Sequence, residues 1–97
     1  MAFMMSIEWD GVSTEGYDAV RRLVNWEGDR PAGGIFHMCA VGENGLLITD
    51  VWETPEHFQA FVNTRLMPGV QQVGLTSEPK VRIFPVHAVY NPDANPA

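Results

Sequence analysis

The chain has 97 residues, room for one domain, and with 45% hydrophobic residues, 3 Trp and 5 Phe it has ample material for a small core. Its 6 basic against 12 acidic residues give a net charge of −6, which argues against a nucleic-acid partner because phosphate binding needs clustered Lys and Arg. The single cysteine, Cys39, excludes an internal disulfide and a multi-cysteine zinc site and fits a reducing cytoplasm, and no stretch approaches the ~20 apolar residues of a membrane span.

Residues 3–9 alternate loosely between apolar and polar and predict a strand, stopped by Asp10-Gly11. The apolar start from Met1 to Ile7 lacks the basic flank and the length of a signal peptide. Ser13 reads as a helix N-cap, with Val12 and Tyr17 spaced as a hydrophobic staple. Tyr17, Val20, Leu23 and Val24 then recur at helical spacing through about Asn25, with Arg21-Arg22 on a solvated face. Residues 27–34 are loop by composition. Ile35 to Val41 is rich in strand formers, Gly42-Glu43-Asn44-Gly45 is a hairpin signal, and Leu46 to Trp52 is the returning strand. Thr54-Pro55 sets an N-cap before a proline at the first helical position. Phe58, Phe61, Val62 and Leu66 form that helix's buried stripe, and Pro68-Gly69 should kink or interrupt it before Val70 and Val73. A last strand is predicted from Val81 to Tyr90, ahead of a polar, proline-containing tail at 91–97.

The order β-α-β-β-α-β is that of the ferredoxin-like α+β fold, a four-stranded antiparallel sheet with both helices on one face. The whole chain, 1–97, forms this single domain, with an ordered core of about 3–90. A domain this small buries only roughly 60–70% of its unfolded surface. Its strands nevertheless carry apolar residues of both parities, such as Phe36 and Met38 against Ile35 and Cys39. The bare sheet face therefore predicts a homodimer.

The stretch Val51-Trp52-Glu53-Thr54-Pro55-Glu56, followed by Phe58, Phe61 and Leu66-Met67-Pro68, resembles the second half of dimeric α/β-barrel proteins of the antibiotic-biosynthesis-monooxygenase type. Gly33-Gly34-Ile35-Phe36-His37, Asp50-Val51-Trp52-Glu53 and Pro85-Val86-His87 are similar to small bacterial members of that superfamily, and the likeness spans about residues 3–90. The resemblance implies two subunits joined through their bare sheet faces, each with a ligand cleft between its sheet and its own helices. Members include cofactor-independent oxygenases, haem-degrading enzymes, polyketide cyclases and lactone isomerases, so membership does not select a reaction. Many members carry a histidine on the helix after the tryptophan where this chain has Phe61. His57 lies one turn earlier and is expected to face water, so the haem-degrading reading loses its iron ligand.

Strand parity supplies the candidate chemistry. Whether the hairpin closes on Glu43-Asn44 or on Asn44-Gly45, His37, Cys39, Asp50 and Trp52 share one face. The first closure sets His37 opposite Asp50, roughly 5 Å apart at Cβ. The second sets His37 opposite Trp52 and leaves the acid diagonal to it. A carboxylate beside an imidazole orients the ring and fixes its tautomer, which suits it to move protons, although the same pair could simply satisfy a buried histidine. The resemblance puts the strand tryptophan, and with it this face, in the cleft.

His37, Asp50 and His87 are thus the candidate catalytic residues, with His87 reaching either the cleft or the subunit contact. Trp52, Trp9, Tyr17 and Phe61 are candidates for the substrate wall, or core. Cys39 reads as a small buried hydrophobe. Gly33-Gly34 precedes a strand and so is no phosphate loop, there is no Ser or Cys nucleophile motif, and two strand histidines with Asp50 lack a compact metal-ligand spacing. No cofactor or metal is expected.

Taken together these features predict a cytoplasmic bacterial enzyme of secondary or aromatic metabolism. It would perform cofactor-independent proton transfer on a hydrophobic small molecule, as a polyketide-type cyclase or isomerase. A cofactor-independent monooxygenase using the same base is the nearest alternative, and a non-catalytic ligand-binding or assembly protein the alternative from another class.

Overall fold

A computed structural model of the protein describes residues 1–90. The elements are β1 (Phe3–Asp10), α1 (Thr14–Val24), β2 (Gly34–Val41), β3 (Gly45–Trp52), α2 (Pro55–Phe61), a π-helical turn (Val62–Leu66), α3 (Met67–Val73) and β4 (Lys80–Pro85). The strands form one antiparallel sheet in the order β2-β3-β1-β4, the ferredoxin-like arrangement expected from the element order. The predicted tail at 91–97 lies outside the described residues.

Local chemistry sets the helix ends. Ser13 is extended and its hydroxyl accepts from the Gly16 N–H at 3.1 Å, while Val12 behind it is buried. Val20 and Val24, one turn apart, face the core, whereas Leu23 falls off that line and is exposed. The helix stops at Asn25, which turns left-handed at φ 53° and donates its N–H to the Arg21 carbonyl at 2.9 Å. Thr54 caps α2 by accepting from the His57 N–H at 3.0 Å, with Pro55 in the first turn.

Pro68 lacks the N–H that would bond to Thr64, and its ring would crowd that carbonyl. The chain accommodates it with the π-helical turn just upstream, and α-helical bonding resumes at Met67. The expected interruption is therefore a local widening between two helical segments. It keeps Phe58, Phe61 and Val70 all in the core.

Gly42 donates to the Gly45 carbonyl at 2.8 Å, so the hairpin closes on Glu43-Asn44 and His37 pairs directly with Asp50. Near the start of β2 the register shifts by one between Gly34 and Phe36, a bulge at Ile35. Just before it, Gly33 has φ 81°, and a Cβ there would run into the His57 ring. His57 is consequently half-buried against Gly33, with Nδ1 2.7 Å from the Thr54 hydroxyl, rather than facing water as expected.

Along the sheet, Met5, Ile7, Trp9, Leu46, Ile48 and Trp52 project to the helix side and meet Val20, Val24, Phe58, Phe61 and Val70. Met38, Leu47 and Phe84 project the other way and remain 52%, 50% and 45% exposed. The last strand is shorter than predicted. β1 begins at Phe3, which pairs with Pro85, and the pairing ends as Val86 donates to the Ala2 carbonyl at 2.9 Å. Residues 86–90 therefore leave the sheet although their composition favours a strand.

Candidate functional site

A cavity of about 620 Å³ lies between the sheet and its helices, well within the range of small-molecule sites. Its wall includes His37, Asp50, Trp9, Tyr17, Trp52 and Phe61, so six of the seven candidate residues meet in one place. The seventh, His87, is exposed beyond the end of β4 and is not part of this wall. Its expected position among strand residues is corrected by the early end of the ladder.

Asp50 is 5% exposed, a charged side chain within the core. Such burial requires that both carboxylate oxygens be satisfied. One oxygen is 2.6 Å from His37 Nδ1, and the other accepts from the Trp52 indole N–H at 3.1 Å. Both contacts follow from strand geometry. Trp52 lies two residues along the same face, and His37 is the cross-strand partner.

The second nitrogen of His37, Nε2, is 2.6 Å from the Tyr17 hydroxyl, which α1 carries across from the opposite side of the cavity. The Tyr17 and His37 rings are within 6° of parallel, with their centroids 5.9 Å apart. Tyr17 has its phenol pushed up to about 12, first by burial and then by the Cys39 thiol, with the Asp50 charge adding and Arg21 opposing. The hydroxyl therefore keeps its proton at neutral pH. Asp50, His37 and Tyr17 form a continuous hydrogen-bonded row from the sheet to the helix layer.

Aromatic rings surround that row. Trp26 lies 4.7 Å from the imidazole centroid, and Phe61 sits 6.5 Å from Trp26 and 5.2 Å from Trp52. Sequence reading missed Trp26. It falls just past α1, where helical periodicity ends, and only the left-handed Asn25 folds it back over the site. The signal available was an asparagine at a helix end followed by a tryptophan. Arg65 secures this corner, donating to the Val24 and Asn25 carbonyls at 2.7 and 3.3 Å while its guanidinium lies 5.6 Å from the Phe61 centroid.

Trp9 anchors the far side of the cavity by donating its indole N–H to the Ser77 carbonyl at 3.0 Å. Cys39 is half-buried on the same face as His37, and burial pushes its thiol pKa up, away from nucleophile chemistry. Among the described residues, no group of three or more His, Cys, Asp or Glu side chains is placed to hold a metal ion, and no helix is long and apolar enough to cross a membrane.

No family model matches the sequence, and no curated protein matches it either. Solved structures do share the fold. The chain is similar to SnoaB from Streptomyces nogalater, described as a cofactor-independent oxygenase, with a TM-score of 0.62 and 13% identity over 91% of this chain and 93% of that one. It is similar to a candidate antibiotic biosynthesis monooxygenase from Nitrosomonas europaea, with a TM-score of 0.65 and 12% identity over 89% and 90% of the two chains. It is also similar to the de novo designed protein Foldit4, with a TM-score of 0.61 and 14% identity over 90% of this chain and 100% of that one. These likenesses, all under 25% identical, establish the ferredoxin-like fold and nothing finer. A designed protein matches about as well as an oxygenase, so the reaction must be argued from the site.

Proposed function

We propose that the protein is a cofactor-independent enzyme that removes a proton from a hydrophobic, aromatic or polyketide-like small molecule bound in the sheet–helix cavity. The observation that carries this reading is the buried Asp50 carboxylate bonded to His37 at the wall of an open aromatic cavity. A buried ion pair is weak evidence for stability, because desolvation offsets its attraction. Placed at a cavity wall, the same pair is a proton acceptor held in one tautomer. General-base catalysis of this kind contributes roughly 10²–10⁴ in rate.

The resulting anion has two fates. It closes or rearranges within the cavity, as in a cyclase or isomerase, or it reacts directly with oxygen. The likeness to SnoaB supports the second course and makes it the first to test. Incubation with an electron-rich polyketide-like phenol under an oxygen electrode should give product. Oxygen uptake in step with product assigns an oxygenase, and product without uptake assigns a cyclase or isomerase. Binding without product across such a series would leave a non-catalytic ligand carrier.

The homodimer belongs to the same proposal. The exposed Met38, Leu47 and Phe84 on the helix-free sheet face are apolar surface of the kind that a second copy covers. Light scattering at micromolar concentration should report twice the 10.8 kDa chain mass, and a monomer would reject the sheet-to-sheet pairing. The lone half-buried cysteine suits a bacterial cytoplasm as the place of action.

A further inference from the structure

We propose that Tyr17, rather than His37, is the group that meets the substrate, and that its hydroxyl oxygen selects molecules bearing a phenolic or enolic O–H. This inference rests on the proton-abstraction reading and names its substrate class. It follows from the direction in which each hydrogen bond of the row must run.

The ionised Asp50 carboxylate is acceptor-only, so the hydrogen in its 2.6 Å contact sits on His37 Nδ1. In the neutral ring Nε2 is then a bare lone pair. Tyr17, 2.6 Å away, has one hydrogen and must donate it there. His37 has no acceptor left for a ligand, and Tyr17 has no hydrogen left to offer. What the row presents to the cavity is the remaining lone-pair side of the Tyr17 oxygen. A ligand hydroxyl can donate to it. A ketone or ether oxygen at the same place meets lone pair with lone pair.

The same polarity defines the chemical step. The ligand O–H bond breaks and its hydrogen passes to the Tyr17 oxygen, while the original Tyr17 hydrogen passes to His37 Nε2. The ligand is left as its oxyanion and His37 as an imidazolium beside Asp50, with no oxidant consumed. Tyr17 then holds a hydrogen pointing at the ligand and donates it to the new oxyanion. The move that deprotonates the substrate therefore also turns Tyr17 into a donor for the charge it creates.

Two measurements test this. Nitrogen-15 NMR of the intact protein at neutral pH should show His37 neutral, protonated at Nδ1 and bare at Nε2. A hydrogen on Nε2, in either the other tautomer or the imidazolium, overturns the proposal, because Tyr17 would then donate into the cavity. Tryptophan fluorescence should report 2-naphthol binding about tenfold tighter than 2-methoxynaphthalene, the worth of roughly one hydrogen bond. Tyr17→Phe, confirmed folded by circular dichroism, should reduce that preference to less than about threefold, since the phenyl ring still screens Nε2 and offers no acceptor. Equal binding of the two ligands to the unaltered protein, an undiminished preference in Tyr17→Phe, or no binding of either ligand at millimolar concentration would each reject it. Selective phenol binding without turnover of any phenol fails the enzymatic reading alone. Turnover with no preference for 2-naphthol fails this one alone.

Discussion

His37→Ala is expected to lower turnover by roughly 10²–10⁴ while leaving the fold and the subunit contact in place. The imidazole stands at the cavity wall, outside the packed cluster of Met5, Leu46, Phe58 and Val70, so its loss enlarges a space already present. Water can enter an open cavity of that size beside a carboxylate and satisfy the freed Asp50 oxygen. The loss should fall on kcat, because hydrophobic contacts with Trp26, Trp52 and Phe61 remain to hold the ligand. Asp50→Asn should cost less, roughly 10–10²-fold. An amide that offers its oxygen to His37 Nδ1–H turns its NH₂ toward the Trp52 N–H, donor against donor, but keeps Nε2 as the proton acceptor. In the opposite orientation the NH₂ donates to Nδ1 and the ring hydrogen moves to Nε2, so the acceptor is lost in that fraction of the molecules. If His37→Ala retains turnover within a few-fold of the unaltered protein, His37 is not the base.

The path from sequence to site was open where geometry depends on neighbours in the chain, and closed where it depends on distant partners. Residues in a strand alternate strictly, so the sharing of one face by His37, Asp50 and Trp52 could be read before the hairpin closure was known. Closure itself depends on which residues occupy the turn, and Gly42-Glu43-Asn44-Gly45 permits two choices; the Gly42–Gly45 bond selects one. The length of β4 could not be read from its own residues. Val86 to Tyr90 have strand composition, but a strand is made by its partner, and the pairing with β1 ends at the Val86–Ala2 hydrogen bond. His87 left the site for that reason.

Tyr17 and His37 illustrate the other limit. Each could be singled out separately, the tyrosine as a helix residue near an N-cap and the histidine by parity. Their contact joins residues 20 apart through the packing of α1 over the sheet, and no spacing rule encodes it. Trp26 was obscured for a related reason, since a single left-handed residue redirects the chain after the periodic signal has ended. Pro68 marked an irregularity whose form was not legible. Whether a proline kinks a helix or is absorbed by a π-helical turn depends on the fit of Phe61 and Val70 to the core on either side of it.

Asp50→Ala should be strongly destabilising, at about 2–4 kcal/mol. The carboxylate is buried and accepts from two donors, His37 Nδ1–H and Trp52 Nε1–H. Removing it leaves the indole N–H without its acceptor among Phe58, Phe61 and the strand core, where Trp52 is 4% exposed. His37 loses its orienting partner as well, although its outer edge can still turn toward water. For a domain of this size each 1 kcal/mol lowers Tm by roughly 4–8 °C, so the melting transition should fall by about 8–32 °C. His37→Phe alone strands the Asp50 charge and should also destabilise. The double change His37→Phe with Asp50→Leu removes donor, acceptor and charge together, and should recover part of the loss, leaving chiefly the Trp52 N–H unpaired. Calorimetry on His37→Phe, Asp50→Leu and the double variant therefore measures the coupling between the two residues. Recovery of Tm in the double variant, with turnover still absent, is expected if the protein keeps the pair for proton transfer. A double variant that melts as low as the sum of its parts would mean that the two residues contribute independently, so that the Asp50–His37 contact carries no coupling energy and the stranded-charge account fails.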